Sequence, residues 1–308
     1  MASSGRKRRV GVKHDFAAMS LPLDDEEGHN QERNTMSIHS SALEILDIVE
    51  QGGYTAPSGK LVDIRSRQAA ATERTALFRP GQLDSLFAEP GGVGGFPRVS
   101  VVDATTQDAA RSLAAEHGSV VLLNFASARN PGGGFLGGAR AQEEEVCRCS
   151  GLYSTLLTQG RYYDENRAER SALYTDHIIY SPEVPFFRIS AKDPWLEEPF
   201  FASVITAPAP NAGAIKQNRS GETSKIPETF ERRWRNVLLV AAHYGHRVVL
   251  LGAWGCGAFQ NDPEVAAKTV LPWLRSPRFA GCFDRVVFAI PDGGRSGQNL
   301  TAFRKVLG

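Results

Sequence analysis

Cysteine is scarce, neither charge sign dominates, and long apolar runs are missing. Four cysteines stand among 308 residues: Cys147, Cys149, Cys256 and Cys282. None pairs at C-x-x-C spacing, and four are too few for a disulfide scaffold, so a reducing cytoplasm fits best, with the nucleus as the alternative for a eukaryotic chain. Lys and Arg total 35 against 34 Asp and Glu, a net charge of +1, which excludes a bulk basic coat for duplex DNA. No apolar stretch approaches the roughly 20 residues that a membrane-spanning helix needs. Arg6 to Arg9 form a basic stretch, but no apolar region follows, which argues against a secretory signal.

Several motifs are missing as well. No glycine loop ends in Gly-Lys-Ser/Thr, so the loops are not of the Walker A kind. Gly255-Cys256-Gly257 matches only the first part of G-x-G-x-x-G and falls late in the chain, which disfavours a nicotinamide-binding Rossmann domain. His243 and His246 lie three apart, but there is no H-E-x-x-H pattern and no third ligand nearby, so no metal is expected. Cys147 and Cys149 lie two apart and cannot share a helix face; they read as small core residues.

Glycine is plentiful, 30 residues in clusters. Residues 1–36 show little apolar periodicity and read as a disordered leader, with five basic residues from Arg6 to Lys13 and four acids from Asp24 to Glu27. Residues 37–97 read as a helical N-terminal extension and linker. Leu43, Ile45, Leu46, Ile48 and Val49 recur at helical spacing until Gly52-Gly53. A second helix is expected from Ile64 to about Leu77, then a breaker-rich linker from Phe78 to Pro97. From 98 to 308 short β-branched runs alternate with helical stretches. The runs begin at Val99, Val120, His177, Phe201, Arg247 and Arg285; helices are expected over Gln107–Glu116, Glu143–Leu157, Glu228–His243 and Pro263–Leu274. Several runs are apolar throughout, as in strands buried on both faces. The expected fold is a three-layer α/β/α sandwich around a mixed or mostly parallel sheet of about six strands.

Two glycine-rich loops follow strands. One is Asn124 to Gly134, with Gly132-Gly133-Gly134 at its end; the other is Gly252 to Phe259. In open α/β sheets ligands bind beyond the carboxyl ends of strands, and glycine backbones bring amides close to phosphates. Beyond the first loop stands Gln142-Glu143-Glu144-Glu145, opening a helix. Acids in a first helical turn are ordinary, stabilising by about 0.3–1 kcal/mol each. Glycosidic cleavage, however, needs a carboxylic acid to protonate the leaving oxygen. Neighbouring residues on a helix point about 100° apart, so Glu143 and Glu144 cannot flank a sugar from both sides. One of them can donate the proton while the other grips ribose hydroxyls, which suits a ligand held by its own diphosphate.

Gly132-Gly133-Gly134, seven residues, then Gln142-Glu143-Glu144 resembles the signature of poly(ADP-ribose) glycohydrolases, most closely their microbial branch, built on a macrodomain. Asn124 to Ala128, Thr206 to Asn211, Gly252 to Phe259 and the Gly53 to Gly59 turn extend the resemblance over about Ser37 to Leu307. It implies hydrolysis of the 1″–2′ ribose–ribose bond. Glu144 is the implied general acid and then base, and Glu143 the ribose-orienting residue. Gly132, Gly133, Gly134 and Gln142 belong to the implied catalytic loop, and Asn130 to the distal-ribose site. The amides of Gly255, Cys256, Gly257 and Ala258 are implied to face the diphosphate, with Phe259 against the distal ribose. No cofactor or metal is implied. The substrate partner is ADP-ribose, or protein or nucleic acid carrying it; no membrane or obligate protein partner is expected. Glu145 has no implied role and reads as a solvated first-turn acid. Removal of a single ADP-ribose from a nucleic-acid base or protein side chain, or non-catalytic reading of ADP-ribose, remain the alternatives. Ile290-Pro291-Asp292 departs from the aromatic residue found near the last strand of the animal enzymes.

Overall fold

The structure is a computed structural model, and it describes residues 41–89, 91–293 and 295–308. The expected leader and residues 37–40 of the expected extension lie outside the described residues. The described part begins with helix α1 (41–51), then a hairpin of β1 (Gly53–Thr55) and β2 (Leu61–Asp63) around the Ala56 to Gly59 turn. Helix α2 (Arg65–Glu73), strand β3 (Ala76–Phe78) and helix α3 (Pro80–Ala88) complete the N-terminal part. Next come β4 (Arg98–Val102), α4 (Thr106–His117), β5 (Val121–Phe125), α5 (Gln142–Cys149), α6 (Leu152–Leu157) and α7 (Gly160–Ala168). The rest is β6 (Ile178–Phe186), β7 (Phe200–Ala207), α8 (Ala212–Asn218), α9 (Ile226–His243), β8 (Val248–Leu251), α10 (Pro263–Leu274), β9 (Arg285–Ala289) and α11 (Arg295–Leu307).

Seven strands form one sheet in the order β3-β6-β7-β5-β8-β9-β4. Pairs β5–β7, β5–β8, β8–β9 and β4–β9 are parallel, while β6 runs antiparallel to β7 and β3. Alternate residues of one strand join different cores. Val121 and Leu123 pack with Phe230, Trp234 and Trp254, whereas Leu122 packs with Val146, Tyr162 and Phe186 on the other face. Both faces are therefore covered, which is why β8 and β5 up to Leu123 are apolar. The class expected from sequence holds.

Three local expectations need correction. The helix expected to reach Leu77 ends at Glu73, and Ala76–Phe78 pairs with Tyr180, Ile179 and Ile178 as the sheet's edge strand. This is the strand missing from the expected six. It comes from the N-terminal extension, so that extension shares the main sheet. The breaker-rich linker contains α3, which uses Pro80 at its first turn, where proline's missing N–H costs nothing, and buries Leu83 completely. The single helix expected from Glu143 to Leu157 breaks into α5 and α6. Ser150 bridges to Phe186, and a side chain at Gly151 would overlap Gln68.

Candidate active site

The carboxyl ends of β5, β8, β9 and β4 open into one cavity of about 750 Å³, within the range of small-ligand sites. Its floor carries the first-turn carboxylates of α5. Glu143 is buried at 2% exposure. Its Oε1 accepts from Asn124 Nδ2 (3.1 Å) and its Oε2 from the Ser127 amide (2.6 Å). Asn124 also donates to Thr206 Oγ1 (3.2 Å), which ties the carboxylate to two strands of the sheet. Burial pushes the Glu143 acid up to about 8; the Glu144 charge adds to this, while the bonds from Ser127 and Asn124 pull the other way. Glu144 Oε1 accepts from the Gly134 amide (2.8 Å). Its Oε2 is buried with no partner among the described residues.

The triple glycine fits this arrangement. Gly133 has φ +60°. A side chain there would overlap Glu144 Oε1 and approach Glu143 Oε2 to 3.1 Å. Gly132 has φ +64°, and a Cβ would lie 2.9 Å from the Tyr153 ring. Glycine lets the loop wrap both carboxylates without strain. Both carboxylates thus converge on one point, and neither stands across a sugar from the other.

Gln142 lines the cavity, and its side chain is bonded into the fold. Its Oε1 accepts from Phe125 N (2.9 Å), and its Nε2 donates to Leu123 O (2.9 Å) and Thr106 Oγ1 (3.2 Å). It clamps the helix start to the end of β5, although its side chain touches the cavity wall. Asn130 is exposed and lies off the cavity wall; its carbonyl accepts from Gly133 N (3.0 Å). Glu145 is not a free solvated acid. Its Oε1 accepts from Ala191 N (2.7 Å), and it pairs with Arg148 at 3.6 Å.

The second loop is anchored by its apolar side. Trp254 is fully buried against Trp234 and Phe230. A Cβ on Gly252 would come within 2.8 Å of Ala289 O and of the Phe125 ring. Gly255 has φ +73° and is packed against Asn261, whose Nδ2 donates to Gly255 O (2.9 Å) and Pro210 O (2.7 Å). The Cys256 amide donates to Ala253 O (3.1 Å), so it is not open to a ligand as expected; its thiol is buried. The amides of Gly255, Gly257 and Ala258 have no acceptor among the described residues. A side chain on Gly257 would meet nothing within 4 Å. Phe259 is half-buried on the cavity wall, 6.1 Å from the Tyr174 ring.

Sequence reading missed the wall at Ile189 to Lys192 and Ser41, and the α4 start at Thr105 to Gln107, all of which line the cavity. The only signal at the latter was an ordinary cap, Thr105 accepting from Asp108 N. His246 bonds Tyr180 (2.8 Å), and burial lowers it to about 4. Among the described residues no group of three or more His, Cys, Asp or Glu is placed to hold a metal ion, and no helix is long and apolar enough to cross a membrane.

A doubly covered mixed sheet, with an acidic helix start and a glycine amide loop at neighbouring strand ends, defines the macrodomain class of ADP-ribose-handling folds. The model of the microbial-type PARG catalytic domain matches residues 42–189. The crystal structure of poly(ADP-ribose) glycohydrolase from Thermomonospora curvata is 43% identical at TM-score 0.82, covering 88% of this chain and 100% of that one. The same enzyme bound to the inhibitor ADP-HPD gives 43% and 0.80, covering 88% and 99%. The Deinococcus radiodurans enzyme in complex with ADP-ribose gives 45% and 0.72, covering 77% and 96%. No curated protein matches the chain. The chain belongs to the microbial-type poly(ADP-ribose) glycohydrolase family.

Proposed function

We propose that this protein hydrolyses poly(ADP-ribose), cleaving the 1″–2′ ribose–ribose bond to release ADP-ribose. The observation that carries this reading is the unpartnered, buried Glu144 Oε2 beside Glu143 in a cavity that also presents open glycine-loop amides. The amides of Gly255, Gly257 and Ala258 receive the diphosphate, because a dianion there meets donors and displaces no internal bond. Phe259 packs on the distal ribose. Both oxygens of Glu143 already accept bonds, so it is fixed and orients ribose hydroxyls. Burial holds its acid well above the ordinary carboxylate range.

Glu144, held at one oxygen by Gly134, passes a proton from the other to the departing 2′-oxygen. The C1″–O bond breaks with its electron pair going to that oxygen, and an oxocarbenium-like ribose forms. The resulting Glu144 carboxylate then takes a proton from water as the water attacks C1″. One water is consumed, and the glutamate regains its proton. The compact carboxylate pair supports this single-residue acid and base scheme over a design with two carboxylates across the sugar.

The test incubates purified protein with poly(ADP-ribose) and, in parallel, with singly ADP-ribosylated protein and DNA, using Glu144→Gln as the blank. Free ADP-ribose from the polymer is expected. Release from a single-unit conjugate alone would assign a mono-ADP-ribosyl hydrolase. Tight ADP-ribose binding with no release from any substrate would leave a reader.

A further inference from the structure

One wall of the cavity is built by a short segment that the catalytic scheme leaves unused. Ile189 to Lys192 lie beside α5, and contacts of this segment and its flanks hold it. The Ala191 amide donates to Glu145 Oε1 (2.7 Å). The Leu196 amide donates to Phe187 O (2.7 Å) and closes the segment on itself. Arg188 donates to Arg148 O (2.6 Å) and lies over the Trp195 ring at 4.4 Å. From the N-terminal hairpin, Tyr54 donates to Leu196 O (2.9 Å) and Ser58 N to Glu197 Oε1 (2.9 Å).

This framework ends in an uncompensated cation. Lys192 lines the cavity and is exposed. Among the described residues its ammonium makes no ion pair, and neighbouring Asp193 makes none with it. The other charges nearby behave differently. Glu143 and Glu144 are held by backbone amides, and Glu145 and Arg148 pair with each other. A polyanionic chain that approaches the acidic start of α5 meets a cation at the cavity rim in Lys192.

Resting on the proposed hydrolysis of poly(ADP-ribose), we infer that Lys192 binds the diphosphate of a second ADP-ribose unit, next to the one inside the cavity. The bound unit's diphosphate uses the amides of the glycine loop. A neighbouring unit carries two more negative charges and has no such loop left, and Lys192 is a cation at the rim that makes no ion pair among the described residues. The contact therefore selects a chain over a single unit. It is electrostatic and partly exposed, so it acts on affinity and is screened by salt.

The experiment measures equilibrium binding of ADP-ribose and of short poly(ADP-ribose) of defined length, on the Glu144→Gln background so that polymer is not consumed. Lys192→Glu is expected to weaken polymer binding about tenfold and ADP-ribose binding at least about fivefold less, with Lys192→Arg within about twofold of the parent. The slope of log affinity for polymer against log salt is expected to flatten by about one. Polymer affinity unchanged in Lys192→Glu overturns the inference. So does equal weakening of both ligands, because the lysine would then touch the unit in the cavity. Hydrolysis by the unmodified protein is followed separately. If no ADP-ribose is released, the functional reading fails, while the binding comparison still decides what Lys192 does.

Discussion

The two glycine-rich loops look alike in sequence and differ in what they need glycine for. In the first, Gly132 and Gly133 have positive φ, and side chains there would strike Tyr153 and Glu144. The carboxylates demand Gly133, and the Tyr153 ring demands Gly132. In the second, Gly257 lacks a positive φ and would place a side chain in open space. No contact among the described residues requires glycine there. A glycine cluster at a strand end thus reports either crowding within the fold or open space beside a cavity, and only the surrounding atoms separate the two.

The comparison breaks most severely at the carboxylate end. Glu144→Gln is expected to lower turnover of poly(ADP-ribose) by about a thousandfold or more while ADP-ribose affinity, measured by calorimetry, stays within about tenfold. Full activity in that variant would sink the assigned mechanism. Gly133→Ala is the next largest. It forces a left-handed backbone on alanine and displaces Glu144, so kcat is expected to fall about 10–100-fold with a lowered Tm, and ADP-ribose binding to change less. If it lost affinity and kept kcat, the first loop would be a ligand loop like the second.

Gly257→Val is the counterpart. ADP-ribose affinity is expected to weaken about tenfold, with Tm within about 2 °C of the parent, because nothing in the fold crowds that site. A large fall in Tm would show that the glycine serves the fold after all. The smallest effect concerns charge. Glu143 binds its proton more tightly folded than unfolded, so the folded state gains stability below its ordinary carboxylate range, and that gain is lost as pH rises towards about 8. Glu143→Gln is expected to flatten this loss, raising Tm at pH 9 relative to the parent by about 5 °C, with little gain at pH 5. Parallel Tm profiles for the two proteins would mean that Glu143 is not buried as a neutral acid.

Much of the fold was legible because its signals are local. All six apolar runs became strands, and Pro263–Leu274 forms a helix with the expected bounds. β3 was missed because Ala76–Phe78 is three residues long and becomes a strand only by pairing with β6. α3 was missed because Pro80 and Gly81 read as breakers, although proline starts a helix as readily as it ends one. Their place after the triple glycine singled out Glu143 and Glu144, and both line the cavity. The hydrogen bonds between Gln142 and β5 are revealed by no motif spacing.

The sequence by itself determined the α/β class, the two glycine loops, the acidic helix start and the kinship they carry, because each rests on neighbours along the chain. The tertiary structure decided which groups are free. Asn124 and Ser127 fix Glu143, while Glu144 keeps one oxygen open. The Cys256 amide is closed by Ala253, while those of Gly257 and Ala258 stay open. Availability of a hydrogen-bonding group depends on distant partners brought within about 3 Å, and that proximity exists only once the sheet and helices have packed.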